Sequence, residues 1–306
     1  MAHHEEALGL AEETGTRAGE AAALIGLAYA ASFTGDSAGA QALAERSLAA
    51  FRDLGDRRGL ADALLGLTWQ ANHAGRYSAA ESFGAKALAL FRALGDTGKV
   101  ADALWAHGVG AQFQGQIERA VPFHEECLAL RRARGDERGC VQPLSALGTI
   151  ALQQGDYARA RALLAETLAI LRQYDDRWSR AMSLTVLGQV ELAEGDAARA
   201  GALLTESAAL FRAIGNLLYV PWCLEGLAGV AAARGRWEDA ARLCGARDAL
   251  RARLVSSLPP AYPVGYTRTL ASIRAALGEE EFAEAHVAGE GLSPEEAIAE
   301  AVANGL

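Results

Sequence analysis

The chain has 306 residues, of which 51% are hydrophobic and 7% aromatic, and its formal net charge is −9. The arginines are spread along the chain rather than clustered, which argues against a phosphate-binding surface and against nucleic acid as a partner. There is no signal peptide and no apolar run of about 18 residues, so we expect a cytoplasmic protein with no membrane partner.

The first predicted element is a helix-like stretch at residues 3–15. Leu8 and Gly15 stand forty positions before Leu48 and Gly55, so this stretch aligns with the second half of a repeating unit. Residues 1–16 are therefore predicted to be the trailing helix of a preceding repeat in a longer protein. The alternative is a native start with half a unit as a cap, which should then have a polar outer face.

From residue 17 to residue 254 the sequence repeats with a period of forty residues. Three columns keep one residue type over six periods: Gly35, Gly75, Gly115, Gly155, Gly195 and Gly235; Leu24, Leu64, Leu104, Leu144, Leu184 and Leu224; Ala40, Ala80, Ala120, Ala160, Ala200 and Ala240. Columns in such register indicate a tandem array of one structural unit.

Each unit is predicted to be a helical hairpin. In the period from Gly59 to Asp96, apolar residues follow helical spacing on both sides of Gly75. The pair Gly95-Asp96 then closes the unit, because glycine can end a helix in the left-handed conformation and aspartate can cap the next one. No segment alternates with period two, so no strands are predicted.

Residues 255–306 depart from the repeat and are predicted to form a C-terminal helical cap. Prolines after Leu258 mark a stop. Helices are expected from Tyr266 to Leu277 and from Glu280 to about Val287. Ser293 opens a capping box before a last helix that runs to Val302.

Several residues of the unit resemble the tetratricopeptide repeat. The resemblance covers roughly residues 1–254 and rests on these motifs: Gly148, Gly155-Asp156-Tyr157, Ala160 and Leu168, with Gly188, Gly195-Asp196, Ala200, Gly108, Gly115 and Ala120. It implies an all-α fold, a right-handed superhelical solenoid of six hairpins. The period of forty differs from the family's usual 34, and arginines such as Arg92 replace its frequent proline, so we expect longer helices and do not carry over the pitch.

The C-terminal part resembles bacterial signal-transduction ATPases with numerous domains, many of them LuxR-type regulators with a repeat region like that of the maltose regulator. The matching stretches are Ala240–Ala246, Leu258–Pro260, Leu277–Phe282 and Leu292–Ala297. This resemblance implies an upstream nucleotide-binding switch module in the same polypeptide and an array that senses an inducer. It supplies no catalytic residues.

Motifs with chemistry of their own are weak in this sequence. Gly95–Val100 superficially resembles a phosphate loop, but its spacing is wrong and no strand leads into it. His124 begins a His-Glu-Glu-Cys stretch without a partner histidine, and the four cysteines lack metal-ligand spacing. We therefore expect free thiols, no catalytic residues, no metal and no cofactor.

The candidate binding residues lie on the first helices of the units. In the tetratricopeptide family, the inner positions of these helices line a concave groove, and here those positions change from unit to unit and collect three of five tryptophans. Aromatic rings mixed with amides and acids favour recognition. The predicted groove residues are Tyr29, Phe33, Asp62, Trp69, Asn72, His73, Asp102, Trp105, Gln112, Phe113, Gln142 and Trp222. The alternative is that the tryptophans bridge adjacent units as core.

Together these features predict non-enzymatic recognition of a protein, a peptide or a small-molecule inducer, as the sensor array of a larger bacterial signalling or transcription regulator. The family resemblance implies that binding would change the curvature of the array or its contact with the switch module. A free-standing scaffold for a protein partner is the main alternative. Direct nucleic-acid binding and enzymatic activity are less favoured.

Overall fold

The computed structural model describes residue 9 and residues 15–33, 37–254 and 266–303, and these residues form α-helices joined by short turns. The prediction of an all-α helical-repeat fold is confirmed. The helices are α1 Arg17–Phe33, α2 Ser37–Asp53, α3 Arg57–His73, α4 Tyr77–Ala93, α5 Thr97–Phe113, α6 Ile117–Ala133, α7 Glu137–Gln153, α8 Tyr157–Leu171, α9 Arg177–Ala193, α10 Ala197–Ala213, α11 Val220–Ala233, α12 Trp237–Leu254, α13 Tyr266–Leu277, α14 Glu279–Glu290 and α15 Pro294–Ala303.

Helices α1 to α12 pair in chain order as hairpins 1 to 6 of the described residues. Contacts divide the chain into two compact units, Met1–Asp136 and Glu137–Leu306. We call them unit 1, which contains hairpins 1 to 3, and unit 2, which contains hairpins 4 to 6 and the C-terminal helices.

Glycine and aspartate set the turns as the sequence predicts. Gly75, between α3 and α4, has a φ of 69°, a left-handed conformation that a side chain would strain. Asp96 caps α5, because its Oδ1 atom accepts a hydrogen bond from the backbone N–H of Lys99 at 3.0 Å. The same arrangement recurs at other hairpins, so the forty-residue period in the sequence becomes a forty-residue period in helix boundaries.

Two turns of unit 2 deviate from this pattern where the sequence does. Asp175 occupies the place of the usual glycine, and α8 ends early at Leu171. Asn216 opens a short 3₁₀ helix, Leu217–Tyr219, before Pro221 enters the first turn of α11. Proline is tolerated there because that turn's N–H groups have no partner within the helix.

The leucine and alanine positions that recur every forty residues form the core of the hairpins. The leucines from Leu24 to Leu224 in steps of forty are at most 4% exposed, and the alanines from Ala40 to Ala240 are at most 2% exposed. Glycines on the first helices let the two helices of a hairpin approach each other closely. In hairpin 4, a Cβ atom built on Gly148 would lie 3.0 Å from Leu164.

One repeat position on the second helices holds a small side chain in hairpins 1 to 5 but not in hairpin 6. Its buried members are Ser47, Ala87, Cys127, Thr167 and Ser207. In hairpin 5, Ser207 and Thr185 place their hydroxyl oxygens 2.7 Å apart. In hairpin 6 the equivalent pair is Arg247 and Glu225, joined by an ion pair of 3.3 Å. Arg247 also stacks on Tyr266 of α13, 4.1 Å from the ring centre.

Helices α13 to α15 cover the end of hairpin 6. The predicted capping box at Ser293 is present, since its N–H donates to Glu296 Oε2 at 2.8 Å and the N–H of Glu296 donates to Ser293 Oγ at 3.2 Å. Helix α14 crosses α12 closely, because a Cβ atom on Gly245 would lie 1.9 Å from the carbonyl oxygen of His286. In the part of the chain that the structure describes, no helix is long and apolar enough to cross a membrane.

Candidate functional site

Four of the predicted groove residues lie together on α3 and α5 of unit 1. Their rings form a chain in the order Trp105, Trp69, His73 and Phe113, which we call the aromatic string. The centres of Trp105 and Trp69 are 6.4 Å apart, those of Trp69 and His73 are 6.2 Å apart, and those of His73 and Phe113 are 6.4 Å apart. Aromatic pairs at such distances attract one another through their edges and faces.

The aromatic string is partly core and partly surface. Trp69 and Trp105 are half-buried and pack against the hydrophobic core of unit 1. Phe113 is half-buried as well, and His73 is exposed. Each tryptophan therefore supports the contact between hairpins 2 and 3 on one side and presents ring surface to solvent on the other.

The two amides expected beside these rings lie inside the protein. Asn72 is buried, and its Nδ2 atom donates to the carbonyl oxygen of Ala106 at 3.0 Å. Gly110 makes room for it, because a Cβ atom there would lie 2.6 Å from Asn72 Oδ1. Gln112 is also buried and accepts from His124 Nε2 at 2.8 Å. Both amides therefore form hydrogen bonds between helices.

The two acids predicted for the groove form ion pairs with neighbouring cations. Asp62 on α3 pairs with Lys99 at 2.7 Å, across hairpins 2 and 3. Asp102 on α5 pairs with Arg131, which also bonds Asp136 at 2.6 Å. The carboxylates remain partly exposed, so solvent screens these pairs and their contribution to stability is small.

The remaining predicted residues are placed separately. The backbones of Tyr29 and Phe33 belong to α1, but their side chains lie outside the described part of the structure. Gln142 is exposed on α7, and Trp222 is half-buried on α11, both in unit 2. Among the predicted residues whose side chains the structure describes, those of the aromatic string are in ring contact with one another.

Sequence reasoning missed the buried imidazole of His124 as a support of the string. Its ring centre lies 5.0 Å from that of Trp105, and the residue is fully buried. Burial lowers the pKa of His124 to about 3, so the ring is neutral at physiological pH. The equivalent residues of hairpins 4 and 5 are Leu164 and Leu204. A histidine at a position where other hairpins have leucine could have indicated this buried imidazole from the sequence.

A second aromatic cluster in unit 2 also escaped the sequence analysis. The Trp178 ring meets Tyr219 edge-on at 5.7 Å, and Tyr219 meets Trp222 at 5.2 Å. Trp178 is 40% exposed, an unusual value for tryptophan. Only Trp222 occupies an inner position of a first helix, whereas Tyr219 comes into place through the 3₁₀ turn.

Groups for metal or acid–base chemistry are few in the described residues. They contain no cluster of three or more His, Cys, Asp or Glu side chains able to hold a metal ion. The four cysteines are buried and form no disulfide, and burial raises the pKa of Cys244 to about 12, which makes this thiol unreactive. The arrangement is suited to contact and stacking.

A family model described as tetratricopeptide repeat matches residues 99–173, which include most of hairpins 3 and 4. Among curated proteins, none matches the chain. The fold is similar to the crystal structure of BtubC (BKLC) from P. vanneervenii, with a TM-score of 0.62 and 20% sequence identity over 70% of this chain and 90% of that one. At this identity the likeness concerns the fold alone.

The described residues form a helical-repeat array, and residues 99–173 match tetratricopeptide repeats, which typically serve as scaffolds for protein interaction.

Proposed function

We propose that the chain is a protein-interaction scaffold and that the aromatic string of unit 1 binds a segment of a partner protein. The observation that carries this proposal is the contact of Trp69, His73, Trp105 and Phe113 along two neighbouring first helices, with ring surface left open. Large rings that are already held in place lose little entropy on binding, which is why such residues dominate interface energies.

The chemistry of the string indicates what the partner presents. Asn72 and Gln112 are engaged inside the protein, and Asp62 and Asp102 already have cationic partners. Affinity therefore comes from apolar and aromatic side chains of the partner that stack on the rings. Truncation of one well-packed ring of this kind to alanine costs about 2 kcal/mol or more of binding free energy.

The test is a selection from a random peptide library displayed on phage, with the whole chain as bait. Selected peptides should lose at least tenfold in affinity for His73→Ala and Phe113→Ala, measured by fluorescence anisotropy. Trp178→Ala is the matched control, because it removes an exposed ring from unit 2 and should leave affinity unchanged. Peptides that bind both groups of variants equally well would show that the string is not the binding surface.

A finer proposal is that the chain is the inducer-sensing array of a bacterial signal-transduction ATPase with numerous domains. It is supported by the resemblance at Ala240–Ala246 and Leu292–Ala297, and a free-standing scaffold fits the comparisons equally well. The proposal requires a nucleotide-binding switch module upstream of Met1 in the natural gene. Reading that gene tests it: an upstream module with a phosphate loop supports the sensor, and an unrelated upstream reading frame contradicts it.

A further inference from the structure

Hairpin 3 has polar side chains at three positions where hairpins 4 and 5 have leucines. His107 interrupts a column that is otherwise leucine, at Leu27, Leu67, Leu147, Leu187 and Leu227. Gln112 and His124 replace the pair Leu152 and Leu164 of hairpin 4. Folding does not require these polar groups, because hairpins 4 and 5 form the same structure with leucines.

The hydrogen bond to Gln112 fixes the protonation of His124. An amide oxygen can only accept, so Nε2 of the imidazole carries the hydrogen in the 2.8 Å bond. The other nitrogen, Nδ1, is buried and has no hydrogen-bond partner within the described residues. It lies against α5, since a Cβ atom built on Gly108 would be 2.5 Å from it.

A second proton on this ring therefore has no place in the packed hairpin. It would create a buried N–H group without an acceptor and a buried cation without an anion, both costly in free energy. The described surroundings offer no compensating charge, since burial alone shifts the pKa of His124. Helix α5 presents the neutral Trp105, Gly108 and Gln112, and the acids next in sequence on α6, Glu125 and Glu126, are exposed.

We propose that His124 makes hairpin 3 acid-labile, so that protonation of its imidazole opens the hairpin and takes the aromatic string apart. Trp105 is the link, because its ring belongs to the string and rests on His124 at 5.0 Å. Release of a bound partner on acidification rests on the proposed function, whereas the opening itself does not require a partner.

The expected pH range follows from linkage. The pKa of His124 is lowered from 6.5 to about 3 by burial, so its neutral ring contributes fully to the stability of the hairpin above pH 6.5, and this contribution is lost as the pH falls from 6.5 towards 3. The equilibrium constant for opening should rise up to tenfold per pH unit in that range. Burial also lowers the pKa of His107, whose charged neighbours are Glu81, Arg119 and Arg92, so this residue acts in the same direction.

Hydrogen exchange between pH 7 and pH 5 tests the inference on the whole chain. Opening constants of hairpin 3 are compared with those of hairpin 5 in the same sample, for the wild type, for Gln112→Leu with His124→Leu, and for His107→Leu. These variants copy the leucines of neighbouring hairpins, and the single variant His124→Leu is a second choice should the double variant fold poorly.

We expect the hairpin 3 constant of the wild type to rise at least tenfold relative to hairpin 5 between pH 7 and pH 5. The leucine replacement of His124 should remove most of that rise, and His107→Leu a smaller part. The inference is overturned if hairpin 3 of the wild type exchanges like hairpin 5 at both pH values. It is also overturned if the opening constant of hairpin 3 rises as much in the His124→Leu variants as in the wild type. Peptide binding that ignores His73 and Phe113 would instead refute the proposed function alone.

Discussion

Asn72 on α3 donates a hydrogen bond to the carbonyl oxygen of Ala106 on α5 at 3.0 Å and so joins the first helices of hairpins 2 and 3 beneath the aromatic string. Hairpins 4 and 5 have Leu152 and Leu192 at the equivalent positions. A hydrogen bond is thus present where hairpins 4 and 5 have an apolar side chain. The loss of this bond should measurably lower the free energy of unfolding.

Asn72→Ala should lower the free energy of unfolding of unit 1 by about 1–3 kcal/mol, because it removes a buried hydrogen bond and leaves a small cavity. Urea denaturation followed by tryptophan fluorescence measures the change. The exposed Gln142 provides the control, since Gln142→Ala should change stability by less than about 0.5 kcal/mol.

Leu144→Ala should destabilise unit 2 by about 2–5 kcal/mol, because Leu144 is fully buried between the helices of hairpin 4. Leu54, which is 41% exposed, gives the comparison: Leu54→Ala should have little effect. Equal effects of the two substitutions in chemical denaturation would contradict the role of the leucine column.

Gly108 and His124 should be energetically coupled. A Cβ atom at residue 108 would lie 2.3 Å from His124 Cε1, so Gly108→Ala should cost about 1–3 kcal/mol through overpacking. The same change in a His124→Ala background should cost less. A double-mutant cycle measures this coupling, and strict additivity of the two changes would argue against the close packing described here.

Arg247→Ala should destabilise the last hairpin by about 3 kcal/mol, because it leaves Glu225 buried without its cation and removes the stacking on Tyr266. Burial already raises the pKa of Glu225, although Arg247 opposes the shift. Adding Glu225→Gln should therefore recover part of the loss, as thermal denaturation can show. No recovery would mean that stacking on Tyr266 dominates.

Duplex DNA should not bind at physiological salt. Arginines of successive helices are paired with acids, for example Arg58 with Asp96 at 2.6 Å and Arg119 with Glu81 at 2.6 Å. A cation already paired with a carboxylate neutralises a phosphate poorly, so few counterions would be released from the DNA and the driving force for binding is small. A salt-dependent shift of DNA at sub-micromolar protein in a gel assay would contradict this.

The sequence predicted the repeat unit well because its determinants are local. Gly75 and Asp96 act on their own turns, and Leu104 is fixed by helical spacing within one hairpin. Such features need no knowledge of how neighbouring hairpins cross. The helix boundaries therefore follow the predicted period of forty, except where Asp175 and Asn216 change the turn chemistry.

The candidate site was harder to predict, because the polarity of a side chain does not reveal whether its hydrogen-bond partner is a ligand or another part of the protein. Asn72 and Gln112 have the composition expected of a ligand-binding surface, but Ala106 and His124, their actual partners, come from other helices. The contact between Trp178 and Tyr219 likewise depends on a 3₁₀ turn that the repeat pattern does not contain.

The charged pair Glu225 and Arg247 also sets a direction for protein engineering. A further copy of the repeat placed after hairpin 6 would meet an arginine where hairpin 5 has Ser207. Lengthened versions of this array should therefore be built by inserting further hairpins ahead of Val220. Hairpin 6 and the helices α13 to α15 that cover it then stay together at the C-terminal end.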